Sequence, residues 1–292
     1  MNFLMDLIVG GLAIGACYAL IALAMVIIYK TSEVPNFAQG EMAMIATFVA
    51  YTMIAGYGVG FWTAAALTLI FAFILGALLE ICFLRPADNP GVLGSIVITL
   101  GAEMILYGIA GWKWGANQNP FPVPFSEYSG INIGGVIITE INLWTVVVSL
   151  AVMVILFLFF RFTKLGTAMK AVQQNPFAAK AMGIPTRRIL TFTWGLSSMT
   201  GAIAGMLIAP MATLDPNMML DPMLKGFAGG VLGGLTSLPG AAAGAYLLGI
   251  IENLFGGYVS LEFKSLVAFG VIVLILCVKP SGLFVKHYER KV

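Results

Sequence analysis

Two acidic residues lie within long apolar stretches of the sequence. Glu103 closely follows Thr99 and Gly101, and Glu252 lies in a separate run near the C-terminus. An ionisable group at bilayer depth costs roughly 2.5–3.5 kcal/mol, so such residues are candidates for function. No Lys or Arg lies deep in an apolar run to pair with either acid. We therefore expect Glu103 and Glu252 to face each other, a polar helix face or water, and to line a pathway with Thr99 and Gly101.

A second polar group follows the first apolar run. Pro35 ends the preceding element, Asn36 can cap a new helix, and Gln39 stands where it would complete a pair resembling a capping box. Glu41 falls in the first turn, where the helix dipole favours an anion. Two interpretations remain open. The segment is either a capped helix at the membrane face or a helix start lying deeper, beside a pathway.

The loop 161–188 contains a third group. It carries six basic residues and no acidic residue. Asn175 followed by Pro176 is a favourable helix start, and Gly183 is a favourable end. The residues between these signals include Ala178, Ala179, Ala181 and Met182. Such a short helix has little to pack on within its own chain, so we expect it to dock in a groove on a partner.

The composition sets the environment of these groups. The chain has 292 residues, of which 60% are hydrophobic and 10% are charged, with a net charge of +2 and a mean hydropathy of +0.98. Soluble domains carry about 25% charged residues. A water-soluble enzyme and a nucleic-acid-binding protein are therefore excluded, and a polytopic membrane protein is indicated.

Catalytic motifs are missing from the sequence. It contains no phosphate-binding G-x-x-x-x-G-K-[ST] loop, and no extramembrane portion is large enough to fold as a catalytic domain. Cys17, Cys82 and Cys277 all lie in apolar runs and are expected to be packing residues, so no metal site is predicted. We expect a non-enzymatic chain without a cofactor of its own. If the chain takes part in transport driven by ATP, another subunit must hydrolyse the ATP.

The apolar runs predict a single, all-α transmembrane domain covering 1–292, with about eight (eight or nine) membrane helices. Solid apolar blocks indicate helices rather than barrel strands. The predicted segments are 4–29, 37–55, 61–84, 91–111, 141–160, 189–209, a broken Gly-rich stretch 226–258, and 266–278. The first is too long for a signal peptide and lacks a basic leader, so it is expected to be retained. Residues 236–240 break the Gly-rich stretch, which makes Gly234 and Pro239 further pathway candidates.

Basic residues predict the orientation. The loop 161–188 and the tail 279–292 are basic and are expected to face the cytoplasm, whereas 112–140 carries one Lys and two Glu and is expected to face the periplasm. Paired glycines four residues apart, such as Gly11/Gly15 and Gly201/Gly205, predict close helix packing.

Together these motifs resemble the permease subunits of bacterial branched-chain amino acid ABC importers. The loop is similar to that family's coupling loop, and the N-F-A-x-G-E run at 36–41 is similar to its hallmark after the first helix. Thr-Leu-Gly at 99–101 and the Gly-rich stretch ending at Pro239 also fit. By this resemblance the ATPase-coupling residues are Lys170, Ala171, Asn175, Pro176, Ala178, Ala179, Gly183 and Ile184. Lys170 replaces the usual Arg, and Phe177 stands where a polar residue is common.

The resemblance implies a multi-pass protein of the bacterial inner membrane that moves branched-chain amino acids into the cytoplasm. Its implied partners are a homologous permease subunit, two cytoplasmic ATPases that bind the ATP, and a periplasmic binding protein. The implied translocation path lies near Asn36, Gln39 and Glu41, near 99–103, and near 230–240.

Two other functions remain open at this point. The same family includes permeases for urea and short amides, which nothing in the sequence separates firmly from those for amino acids. A protein of another class, a proton-coupled secondary transporter using Glu41, Glu103 or Glu252, would explain the acids at depth. It would leave the predicted helix at 175–184 without a role.

Overall fold

The computed structural model describes residues 2–32, 34–87, 91–124, 130–133, 136–279 and 282–284. These residues form eleven α-helices and one short β-hairpin. The helices are α1 (Asn2–Ser32), α2 (Gln39–Tyr51), α3 (Phe61–Leu79), α4 (Gly91–Trp114), α5 (Glu140–Phe162), α6 (Lys164–Gln174), α7 (Pro176–Ala181), α8 (Thr186–Ala212), α9 (Leu220–Gly233), α10 (Leu238–Tyr258) and α11 (Lys264–Val278). Short π-helical turns extend α2 to Gly56 and α3 to Leu84.

The hairpin departs from the all-α prediction. Its antiparallel strands β1 (Gly130–Ile133) and β2 (Val136–Thr139) lie within the loop 112–140. Only four residues in each strand pair, so the hairpin leaves the helical architecture unchanged. Residues 125–129 and 134–135 of this loop lie outside the described residues, as do 280–281 and 285–292 of the predicted tail.

Within the part of the chain that the structure describes, six helices are long and apolar enough to cross a membrane. These candidate spans are Phe3–Ser32, Phe61–Ala87, Gly91–Trp114, Glu140–Phe162, Thr186–Ala212 and Leu238–Tyr258. As α-helix alone, before the π-helical turn that continues α2 to Gly56, the helices α2, α9 and α11 have 13, 14 and 15 residues. This is about 20–23 Å at 1.5 Å per residue, against a hydrocarbon core of about 30 Å. A helical membrane protein with six candidate spans is therefore established, while the count of eight or nine membrane helices stays a prediction.

The helix α1 is the centre of the bundle. It packs against α5, α8, α9 and α10. Of its most apolar 18-residue segment 89% is buried, whereas only 17% of the corresponding segment of α4 is buried. The outer helices instead expose large apolar side chains such as Val97, Met104 and Ile155. An exposed apolar surface of this extent is what a lipid environment would cover.

Close backbone contact joins α1 to α10. A Cβ atom placed on Gly249 would lie 2.5 Å from the Cα atom of Gly15, and one on Gly11 would lie 2.8 Å from the Cα atom of Ile250. No side chain fits at these distances, so glycine is required for the two helices to pack this closely. The predicted role of the paired glycines in helix packing is confirmed at this crossing.

The Gly-rich stretch is broken at 234–237, which overlaps the predicted break at 236–240 in two residues; 238–240, including Pro239, belong to the first turn of α10. The helix α9 ends at Gly233, Gly234 takes a φ of +104°, and α10 begins at Leu238. The Ser237 hydroxyl accepts a hydrogen bond from the Gly240 amide at 3.2 Å, which caps α10. Gly233 lies directly against Gly240, so α9 and α10 pack side by side and antiparallel.

Candidate functional site

The start of α2 lies in the interior of the bundle. The Gln39 side-chain nitrogen donates to the Ser197 carbonyl of α8 at 3.3 Å. The Ser197 hydroxyl lies 2.9 Å from the Gln39 amide oxygen and 2.7 Å from the carbonyl of Ala24 in α1, so it can donate to either. Ala24 and Ser197 stand about 12 Å and 16 Å from the nearer ends of α1 and α8, at 1.5 Å per residue. This position agrees with the interpretation of a deep helix start.

The capping prediction at this helix start is wrong in detail. Ala38, not Asn36, occupies the N-cap position of α2, and no side chain caps it. The Asn36 side chain instead accepts a hydrogen bond from the Ala38 amide at 3.1 Å and donates to the Gln39 side chain at 3.3 Å. Because the Asn36 side-chain oxygen accepts this hydrogen bond from the amide two residues further on, it is not available to cap the helix. The resulting polar network, Asn36–Gln39–Ser197, is buried.

Glu41 and Glu103 line one cavity. Its volume is about 310 Å³, and its other lining residues are Met104, Tyr107, Pro216, Asn217 and Leu220. Glu41 is buried and Glu103 half-buried. The Tyr107 hydroxyl lies 3.2 Å from the Asn217 side-chain oxygen, which joins α4 to the segment before α9. Neither carboxylate forms an ion pair with any described Lys or Arg. Both are therefore available to bind a ligand that is cationic or that donates hydrogen bonds.

The two other candidates on α4 do not line this cavity. The Thr99 hydroxyl donates to the Ile96 carbonyl of its own helix at 2.9 Å. Gly101 is exposed, and a Cβ atom there would meet nothing within 4 Å. On α4, only Glu103 among the predicted pathway residues therefore lies in the cavity.

Glu252 has a cationic partner, contrary to the prediction. Its carboxylate lies 2.6 Å from the ammonium nitrogen of Lys225 in α9, and that nitrogen also lies 2.6 Å from Asp221. The ammonium of Lys264 lies 3.9 Å from Glu252. The predicted segment began at 226, one residue too late to include Lys225. The spacing of Asp221 and Lys225, four residues apart, was the available signal, because it is typical of ion pairs on one helix face.

The predicted pathway residues thus do not form one site. Glu252 belongs to an ion-paired cluster between α9 and α10, and Gly234 is the C-cap residue that follows α9. Pro239 lines a different cavity, beside Lys30 and Lys170. Ser197 was missed, although it continues the small-residue face of Gly201 and Gly205 at four-residue spacing. Among the described residues, no group of three or more His, Cys, Asp or Glu side chains could hold a metal ion.

The loop 161–188 folds into two helices, and its predicted end signals are confirmed. The Asn175 side chain accepts from the Ala178 amide at 3.0 Å, and Pro176 opens α7. Gly183 has a φ of +83°. The amides of Gly183 and Ile184 donate to the carbonyls of Lys180 and Ala179, both at 3.0 Å, which forms a Schellman C-cap.

Every residue of α7 except Ala179 is exposed. Phe177, in its first turn, and Met182, at its C-cap, are 86% and 83% exposed. Ala179 is buried in a cluster shared with α1, α5 and α8, so the expectation that this helix has little to pack on within its own chain is wrong for that residue. Of the other coupling candidates, Lys170 and Ala178 are exposed, and Ala171 and Ile184 are half-buried.

The fold defines a polytopic helical membrane protein with a surface helix pair between two long apolar helices. Residues 7–276 match the family described as "Branched-chain amino acid transport system / permease component", and the chain belongs to this family.

Curated relatives align along nearly the whole chain. The permease protein LivH of a high-affinity branched-chain amino acid transport system in Escherichia coli is 29% identical and covers 97% of this chain and 96% of its own length. The corresponding protein BraD of Pseudomonas aeruginosa is 28% identical, with 98% and 97% covered. Among solved structures, PsaBC from Streptococcus pneumoniae in complex with Fab is similar at a TM-score of 0.49 and 13% identity, with 96% and 93% covered.

Proposed function

We propose that this chain is the membrane permease of an ABC importer that moves branched-chain amino acids into the cytoplasm. The exposed surface of α7 and its C-cap carries the proposal. Two large apolar side chains, Phe177 in the first turn of α7 and Met182 at its C-cap, are almost fully exposed on a segment that is capped at both ends. A rigid apolar knob of this kind suits a groove on a cytoplasmic ATPase. ATP would bind to that partner and not to this chain.

The packing of the helices supports one orientation. The α1 residue Lys30 and the α6 residue Lys170 line the same cavity, so α1 ends on the side of the basic loop 161–188. If that side is cytoplasmic, α1 begins outside. The loop 112–140 then lies outside, and the tail 279–292 lies in the cytoplasm. Counting α2, α9 and α11 as shorter membrane elements gives nine helices among the described residues.

The interior polar groups support a path for a small zwitterion. A cavity of about 310 Å³ lies at the lower end of the range for small-molecule sites. The carboxylates of Glu41 and Glu103 can accept hydrogen bonds from an ammonium group, and the Asn36–Gln39 network adjoins Glu41 in sequence at the start of α2. Urea or a short amide would use the same hydrogen-bonding groups but would leave the two carboxylates without a cation.

A test of the coupling role changes only exposed atoms. In the double variant Phe177→Asp/Met182→Asp, the chain should insert normally but no longer retain ATPase subunits in a detergent pull-down, and ATP-dependent uptake should be lost. The matched control Phe177→Leu/Met182→Leu keeps the apolar surface and should retain both properties. ATPase retention by the aspartate variant equal to that of the control would contradict the assignment.

A further inference from the structure

A basic cavity lies where α1, α5, α6 and the turn before α10 meet. Its volume is about 420 Å³, and Lys30, Arg161 and Lys170 line it together with the turn residues Thr236 and Ser237. The three cations come from three different elements of the chain. The fold therefore gathers positive charge at this point although the charges are far apart in sequence.

The positive charge in this cavity is not neutralised by the protein. Among the described residues that line it, none carries a carboxylate. No ion pair or hydrogen bond joins Lys30, Arg161 or Lys170 to another described residue. The Arg161 guanidinium lies over the rings of Phe157 at 5.8 Å and Phe162 at 5.5 Å, and these contacts leave its hydrogen-bond donors free. Like charges around one cavity repel each other, so an anion bound between them would be stabilised by all three.

An apolar groove continues from the basic cavity. It runs between α1, α5 and α10 with a volume of about 600 Å³, and it shares Phe157, Leu238 and Pro239 with the basic cavity. Its lining side chains are apolar except that of Tyr246, whose hydroxyl donates to Ser149 at 3.3 Å. The shape and chemistry together match an amphipathic anion with a long apolar portion.

We propose that this composite site binds an anionic phospholipid, with the phosphate in the basic cavity and an acyl chain along the groove. The cavity borders the basic loop 161–188, the side that the positive-inside rule assigns to the cytoplasm, where a leaflet rich in anionic lipid can supply the ligand. A second permease chain would cover the groove but would not neutralise the cations. A soluble phosphate would neutralise the cations but leave the groove empty. The site is independent of which substrate the protein moves.

The test measures lipid retention and lipid-dependent stability of the full-length chain. The chain is purified in mild detergent, and its bound phospholipids are extracted and quantified by mass spectrometry. In parallel, thermal unfolding is measured with added phosphatidylglycerol, phosphatidylcholine or inorganic phosphate. We expect anionic phospholipid to be retained through purification. We also expect the Tm to rise with phosphatidylglycerol but not with phosphatidylcholine or inorganic phosphate. In Lys30→Gln/Arg161→Gln/Lys170→Gln, the affinity for phosphatidylglycerol should fall about 100-fold, because each basic residue contributes about five-fold.

Matched variants separate the two halves of the site. The variant Lys164→Gln/Lys180→Gln/Arg188→Gln removes three exposed charges of the same loop outside the cavity and should behave as the unmodified chain. Ala243→Trp fills the groove and should lower retention with every charge intact. If the triple cavity variant fails to fold, Lys170→Gln alone, at an exposed position, should still weaken phosphatidylglycerol binding.

Other outcomes would overturn the proposal. Equal retention in the cavity and control variants would exclude the basic site, and equal stabilisation by phosphatidylcholine would exclude recognition of the anion. Equal stabilisation by inorganic phosphate, or unchanged retention in Ala243→Trp, would exclude the acyl groove. Cross-linking of a second permease chain along α5 and α10 in lipid-free protein would assign the groove to a subunit interface.

Discussion

The ion pair between Lys225 and Glu252 joins α9 to α10 inside the bundle, and removing one partner should have a large, asymmetric effect. The Glu252 side chain is 0% exposed and that of Lys225 is 7% exposed. One carboxylate oxygen of Glu252 has no hydrogen-bond partner even with Lys225 present. In the variant Lys225→Met, Glu252 would remain in the interior, and Lys264, at 3.9 Å, would be its remaining ion-pair partner among the described residues.

The size of the effect follows from what remains after each substitution. Breaking a buried ion pair by removing one partner costs about 3–5 kcal/mol of unfolding free energy. We expect Lys225→Met to fall at the lower end of this range because Lys264 compensates in part. Glu252→Gln should cost about 1–3 kcal/mol, because Lys225 keeps Asp221 at 2.6 Å. The double variant Lys225→Met/Glu252→Met should be more stable than Lys225→Met alone, since neither charge is left buried.

The free energies can be measured by titrating the detergent-solubilised chain with a denaturing detergent and following tryptophan fluorescence. Lys264→Met is the matched control, because it removes a longer and more exposed contact, and it should change the unfolding free energy by less than about 1 kcal/mol. If Lys225→Met unfolds at the same free energy as the unmodified chain, or if Glu252→Gln is the more destabilising of the two, the buried pair does not stabilise the bundle as reasoned.

Two further predictions concern packing and a second buried acid. Gly249→Val should separate α1 from α10, because its Cβ atom would lie 2.5 Å from the Cα atom of Gly15, whereas Gly270→Val, where a Cβ atom would meet nothing within 4 Å, should be tolerated. Size-exclusion profiles in detergent test this, and identical profiles would be against it. Arg85→Met removes the 2.8 Å partner of the buried Glu80 and should lower the unfolding free energy by about 1–3 kcal/mol. Glu80→Gln in that background should restore part of the loss in a thermal unfolding assay, and no recovery would argue against an unpaired charge as the cause.

Much of the helical framework could be predicted from the sequence, because a membrane helix is specified by the length of an apolar run. The segment 61–84 corresponds to α3 and its π-helical extension, and 141–160 to α5, within two residues at each end. The short helix α7 was equally predictable, because a cap residue, a proline and a glycine with positive φ act within a few residues of the chain.

The arrangement within the interior could not be predicted in the same way, because it depends on contacts between distant parts of the chain. Lys225 and Glu252 become partners only because α9 folds back along α10. The burial of Ala179 depends on where α6 and α7 rest against α1 and α8. The Asn36 side-chain oxygen could either cap α2 or accept a hydrogen bond from the Ala38 amide, and the sequence does not say which it does. The Gln39 side chain binds Ser197, which lies 158 residues further along the chain.

Uptake of radiolabelled leucine into proteoliposomes tests the central claim most directly. The vesicles would contain this chain with its co-purified permease and ATPase partners, ATP or a non-hydrolysable analogue inside, and a candidate binding protein outside. The importer assignment predicts uptake that requires hydrolysable ATP and the binding protein and that persists when a protonophore removes the proton gradient. Uptake by this chain alone, driven by an imposed proton gradient and abolished by Glu41→Gln or Glu103→Gln, would contradict it and favour a proton-coupled transporter.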